Sequence, residues 1–311
     1  MIRVWLCLRT AVLFAASVLA FAWPVEAQVV GATRCSAGIH PEESTGRVLL
    51  PGDQIFCPLL ADPKEPRSFA SYLRGEFRTL DDPSGEETHI GSVGVGDSIG
   101  IVRWNGPVPG NGVQIDVIGA VFAQFDLGSP STDLINADYI FGLPVTIRKG
   151  GFSTRIKLYH QSSHLGDEYL LRDEEIRREN LSFESVELIL SQEIGPFRVY
   201  GGGEAIFSGR LESLAAQLAH AGLEFRTGSA GSLHFVSAVD LKAVDLDAAN
   251  EDSWSPGTSI RIGLETGKSG VSGHPTRLFQ LVLEAYQGPS PYGQFFQDDI
   301  KYIGIGFHIG F

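Results

Sequence analysis

Tyr302-Ile303-Gly304-Ile305-Gly306-Phe307-His308-Ile309-Gly310-Phe311 closes the chain, and its reading decides the rest. Ile303, Ile305, Phe307, Ile309 and Phe311 are large and apolar, while the residues between them are small or carry a polar group. Successive side chains of a strand point to opposite faces, so all the apolar bulk falls on one side. An alternating strand that ends on a phenylalanine carboxylate reads as the last strand of a membrane-spanning barrel. In that setting the apolar face meets lipid and the small, polar face looks inward.

The other end of the chain agrees. Arg3 and Arg9 precede an apolar run from Ala11 to Trp23, and Val25-Glu26-Ala27 supplies a cleavage site before Gln28. Residues 1–27 are therefore expected to be a signal peptide. Beyond Ala27 no apolar stretch reaches the roughly 18 residues that a membrane helix needs. Removing Arg3, Arg9 and Glu26 takes the 24 basic and 37 acidic residues to 22 and 36, a net −14. Nucleic-acid binding needs a basic footprint, so that class of function is excluded. Cys35 and Cys57 remain in the exported chain, and in an oxidising compartment they are expected to pair.

Residues 28–87 are rich in Pro, Gly and charge, as in Pro51-Gly52-Asp53 and Asp62-Pro63-Lys64-Glu65-Pro66. They read as a disulfide-stapled periplasmic extension with one helical turn near Phe69 to Leu73. From residue 88 to 311 the texture changes to alternating segments separated by Gly, Asn, Asp or Pro. Val113, Ile115 and Val117 oppose Gln114 and Asp116. Tyr139, Phe141, Leu143 and Val145 oppose Asn136, Asp138 and Arg148. Ile260, Ile262 and Leu264 oppose Arg261 and Glu265. Short turns at Gly150-Gly151 and Gly195-Pro196 tend to alternate with longer connections, the habit of outer-membrane barrels, with residues 267–273 a longer exception. Splitting 88–104 at Gly96-Asp97 brings the expected count to twelve antiparallel strands, with ten as the alternative.

Carrying the parity of the terminal strand back to Phe152-Ser-Thr-Arg-Ile-Lys-Leu-Tyr-His-Gln-Ser-Ser-His164 turns Ile156 and Leu158 to lipid and Arg155, Lys157 and Tyr159 inward. His160 and Ser162 then face outward, above the last apolar residue, about 25 Å up from the Gly150-Gly151 turn. Pairing Lys157 with Glu187 across the next strand satisfies opposite charges inside. The same register sets His160 opposite Glu184 and Ser162 opposite Ser182. A serine, a histidine and a carboxylate are the parts of a nucleophile, its base and the group that orients the base. Asn180 and Glu174 are alternatives for the third position.

His160-Gln161-Ser162 resembles the His-x-Ser motif of outer-membrane phospholipase A, a twelve-stranded barrel whose histidine and serine face outward, with an asparagine orienting the histidine. A lipid A deacylase barrel has a similar motif with a glutamate. The present chain departs at Ser163-His164, where the phospholipase has Asn-Gly. A wider resemblance is carried by Phe122-Ala-Gln-Phe-Asp126, Tyr159-His-Gln-Ser-Ser-His-Leu-Gly-Asp-Glu-Tyr169 and Tyr200-Gly-Gly-Gly203. It is to a family of uncharacterised bacterial barrel proteins known only as a domain of unknown function, and it implies a fold without an activity.

The expectation is thus an all-β outer-membrane barrel exported through its signal peptide. Its partners are expected to be outer-membrane lipids, lipopolysaccharide and, through the strand ending at Phe311, the barrel assembly machinery. The first functional reading is a lipid-acting serine esterase using Ser162, His160 and Glu184. The second is a non-enzymatic channel or structural barrel. No cofactor or metal is assigned. The charge run from Asp167 to Arg178 is read as a solvated extracellular loop or short helix, with calcium binding or divalent bridging to lipopolysaccharide as the alternative. A backbone N–H or a bound cation could stabilise the oxyanion.

Overall fold

The computed structural model describes residues 46–78, 87–172, 181–209, 217–227, 233–245, 254–267 and 278–310. Thirteen strands run through them. They are β1 (Gly46–Leu49), β2 (Ser68–Arg78), β3 (Glu87–Asn105), β4 (Gly112–Asp126), β5 (Leu134–Lys149), β6 (Phe152–Leu165), β7 (Ser182–Ile194), β8 (Phe197–Gly209), β9 (Gln217–Arg226), β10 (Leu233–Asp245), β11 (Trp254–Gly267), β12 (Leu278–Pro289) and β13 (Asp299–Gly310). Each strand from β2 to β13 pairs antiparallel with the next, and β13 pairs back onto β2 with Ile309 opposite Ser68. The result is a closed twelve-strand barrel without a free sheet edge between its members. β1 continues the β2 edge along the lower end of β3, with Gly46 opposite Asn105.

The two-residue turns at 150–151 and 195–196 work because Gly150 and Gly195 adopt φ of 61° and 58°, which other residues avoid. They lie at the same end as Gly310, and most of the longer connections lie at the other, the connection over 268–277 being the exception at the Gly310 end. No helix among the described residues is long and apolar enough to cross a membrane.

The alternation read from the terminal strand holds around the wall. Ile303, Ile305 and Phe307 are exposed outward, whereas Tyr302 and His308 are buried inward. The same split separates Ile260, Ile262 and Leu264 from Arg261 and Glu265. A water-soluble barrel would bury its apolar face and solvate its charges, and this one does the reverse.

Three local expectations are corrected. Residues 69–73 form strand rather than a helical turn, and the barrel begins at Ser68, not at 88. The signal was blurred because the outward face of β2 ends in the charged Arg74 and Glu76. Residues 87–105 are one strand, not two. Gly96 marks close approach to β4, since a Cβ there would meet that of Ala120 at 2.7 Å. These two errors offset one another, which is why the count of twelve survived.

The third correction concerns the segment before β2. Residues 51–67 were expected outside the barrel and instead fill its lumen. Ile55, Leu59, Leu60 and Ala61 are fully buried. The inward charges of the wall grip this plug. Arg103 pairs with Asp53 at 2.5 Å, Lys242 with Asp62 at 2.7 Å and Lys64 with Asp138 at 2.5 Å. Arg155 takes Glu65 through both oxygens, at 2.6 and 3.0 Å, and also reaches Glu187. Arg148, Arg198 and Arg261 donate to the plug carbonyls of Ile55, Pro58 and Leu60. Buried charges are tolerated only when paired in this way. The β12–β13 connection closes the opposite mouth, with Tyr292 buried and the Gly293 N–H donating to Asp138 at 3.0 Å. Asp138 therefore holds the plug, the wall and the upper loop at one carboxylate. Cys57 lies buried in the plug. Residues 1–45, including Cys35, and also Glu174, Asn180 and Phe311, lie outside the described residues.

Candidate active site

β6 and β7 carry the site, and the interior sets their register. Lys157 Nζ meets Glu187 Oε2 at 2.9 Å inside the wall. That pairing leaves His160 opposite Glu184 and Ser162 opposite Ser182 on the outward face. Ile156, Leu158, Val186 and Leu188 form the exposed apolar surface beneath them.

His160 Nδ1 and Glu184 Oε1 are 3.1 Å apart, with 44% and 42% of their side chains exposed. In a neutral imidazole, a carboxylate at Nδ1 favours the tautomer with its proton there, the form in which Nε2 can act as a general base. Ser162 is two residues further on the same face, its Cα about 6.7 Å from that of His160. The structure thus joins His160 to Glu184 by a hydrogen bond and sets Ser162 beside them. Among the described residues no hydrogen bond joins Ser162 to the imidazole. Serine–histidine contacts in unliganded sites are often loose and tighten with substrate.

Sequence reasoning missed the neighbours on β5 and β8. Tyr139 stands opposite Ser162, and Phe141 opposite His160. The tight turn held the signal: Lys149 pairs with Phe152 across it, and counting equally up both strands leads to Tyr139 and Ser162. The Tyr139 ring lies edge-on to His164, centroids 5.8 Å apart. Ser208 stands opposite Glu184 on β8, displaced by a bulge at Glu184/Ser185 that no sequence pattern announces.

At the loop end above the site, Arg172 binds Asp126 at 2.7 Å and Asp133 at 2.5 Å. Hydrogen bonds from Ser131 and then Arg172 hold the Asp133 carboxyl below its usual pKa. The first part of the charged run forms a short helix, α1 (Asp167–Leu170). No group of three or more His, Cys, Asp and Glu side chains among the described residues is arranged to hold a metal ion.

A closed twelve-strand barrel, apolar outside and charged within, defines an outer-membrane-type β-barrel protein. The family model described as "Protein of unknown function (DUF1207)" matches residues 23–311, and the chain belongs to that family. Among solved structures, it is similar to the outer membrane phospholipase A of Escherichia coli, at 10% identity and a TM-score of 0.48, covering 80% of this chain and 93% of that one. The outer membrane phospholipase dimer of Salmonella typhi with bound calcium gives 11%, 0.49, 80% and 93%. The β-domain of the Bordetella autotransporter BrkA gives 10%, 0.37, 79% and 99%. No curated protein sequence matches the chain.

Proposed function

We propose that this protein is a serine esterase acting on acyl esters of membrane lipids, at the outer leaflet of the outer membrane. The observation that carries the reading is the hydrogen bond between His160 Nδ1 and Glu184 on the outward face, with Ser162 next along the strand. Ser162 Oγ attacks the ester carbonyl while His160 Nε2 takes its proton. Glu184 steadies the imidazolium, and the same proton then passes to the leaving alcohol. Water hydrolyses the acyl-enzyme by the reverse use of the same base. The exposed apolar surface beneath the pair gives acyl chains a route to the serine without leaving lipid. Export through residues 1–27, and insertion by the assembly machinery through the strand ending at Phe311, belong to this proposal.

A second reading, a non-enzymatic barrel, draws support from the filled lumen. The plug and its ion pairs favour a structural role over an open channel. Two measurements on full-length protein separate the readings. Reconstituted into phospholipid and lipid A bilayers, the protein is expected to release fatty acid, and Ser162→Ala to abolish release. Hydrolysis unaffected by Ser162→Ala would refute the assignment. In a planar bilayer the protein is expected to be silent, whereas steady conductance would favour a channel.

A further inference from the structure

An ester hydrolase needs more than a nucleophile and a base. Attack forms a bond from serine oxygen to the carbonyl carbon, breaks the carbonyl π bond and leaves negative charge on the former carbonyl oxygen. Donors aimed at that oxygen usually supply the largest single share of catalysis. Among the described residues no glycine-rich loop or helix start adjoins Ser162, because the residue lies within β6. The backbone N–H groups of a strand are committed to its ladders, here to β5 and β7. Among the described residues the candidate donors are therefore side chains.

Among the described residues the outward neighbours of Ser162 are few. His160 lies below it as the base and His164 above it on the same face. Ser182 is opposite on β7, beside the carboxylate, and Tyr139 is opposite on β5. Tyr139 is nearly half exposed, and its hydroxyl has no hydrogen-bond partner among the described residues. Its ring rests edge-on against His164, on the side of Ser162 away from the base. A cross-strand tyrosine reaches well past its neighbour's Cβ, which lies about 5 Å away. The phenol is a stronger donor than the Ser182 hydroxyl.

We propose that Tyr139 is the oxyanion donor of this site, an inference that rests on the esterase reading above. Its hydroxyl donates a hydrogen bond to the oxygen that becomes negative when Ser162 adds to the ester, and His164 holds the ring in place. When the intermediate collapses, the carbonyl re-forms and the alkoxide leaves with the proton from His160. Tyr139 neither gains nor loses a proton. Its interaction strengthens as charge develops, so it acts on turnover rather than on substrate binding.

The test uses full-length protein in mixed micelles with a fluorogenic fatty-acyl ester, and compares wild type with Tyr139→Phe, Ser182→Ala and Ser162→Ala. Tyr139→Phe keeps the ring and its packing on His164. It is expected to lower kcat about 10²–10³-fold with little change in KM, the usual effect of losing one oxyanion donor. Ser182→Ala is expected to stay near wild type. Inhibition by an alkylboronic acid, whose boron takes the serine oxygen to form a tetrahedral anion, should weaken in Tyr139→Phe in proportion to kcat/KM. A folded Tyr139→Phe barrel with kcat within about threefold of wild type would overturn the inference while leaving the esterase reading intact. A changed KM with unchanged kcat and boronate affinity would also overturn it. If wild type is inactive, or Ser162→Ala is as active as wild type, the esterase reading itself has failed and the role of Tyr139 falls with it.

Discussion

Leu283 on β12 tests whether the exposed apolar belt faces lipid. It is 64% exposed and lies between the lipid-side neighbours Leu281 and, across the ladder, Ile262 and Ile305. It stands five residues above the start of β12 at Leu278. At about 3.4 Å per residue and about 40° of tilt, that is about 13 Å up, the midplane of an apolar band about 25 Å tall. Leu283→Arg should then cost about 2–4 kcal/mol of folding free energy. Gln287 is four residues nearer the loop end on the same face. Gln287→Arg should cost no more than about 1 kcal/mol. The assay is equilibrium folding into phospholipid vesicles against urea, with the folded fraction read from the heat-modifiable gel shift of intact barrels. If the outer face met water, both changes would fall within about 0.5 kcal/mol of zero. Equal, small effects at the two depths would therefore refute the membrane assignment.

Three further outcomes follow from particular contacts. Glu184→Gln should lower ester turnover about 10²-fold, a milder loss than for a buried triad carboxylate because Glu184 is partly solvated. Its fold and urea midpoint should be unchanged. Lys64→Met strands the fully buried Asp138 carboxylate and should cost about 3–5 kcal/mol, most of it recovered in the Lys64→Met, Asp138→Asn double variant. A single and double variant of equal stability would contradict the plug as drawn. At the loop end, Asp133 has its pKa held below 3.8 by Ser131 and Arg172. A carboxyl depressed in the folded state binds its proton more readily once unfolded, so its contribution is fully present above the unfolded value and is lost as pH falls through the folded one. Protease cleavage of the 127–133 connection should therefore rise below about pH 4 in wild type. In Asp133→Asn it should be high and independent of pH across that range.

The terminal strand made the architecture legible because its parity is unambiguous: every outward residue from Ile303 to Ile309 is large and apolar. The β6–β7 register was equally legible, since only one offset matches Lys157 with Glu187. β2 was missed because the charges of Arg74 and Glu76 share the outward face with Tyr72. The plug was missed for a deeper reason. Pro63, Lys64, Glu65 and Pro66 have the composition of a solvated loop, and no local pattern says that their solvent is the inside of a barrel. The hint lay in the wall, where Arg103, Arg148, Arg155, Arg198, Lys242 and Arg261 all point inward and need acceptors. Asp53, Asp62, Glu65 and the plug carbonyls supply them. Tyr139 could have been counted from the Gly150-Gly151 turn, whereas Ser208 became visible only when the bulge in the β7–β8 pairing was known.

The proposed activity can be tested without knowing the lipid. A fluorophosphonate probe reacts only with a serine that a base has activated, forming a stable bond to its oxygen as fluoride leaves. Applied to the folded full-length barrel, it is expected to label one site, with the modified peptide mapping to Ser162. Labelling should disappear in His160→Ala and after thermal unfolding. A folded barrel that stays unlabelled, or one labelled equally with Ser162→Ala, would contradict the account.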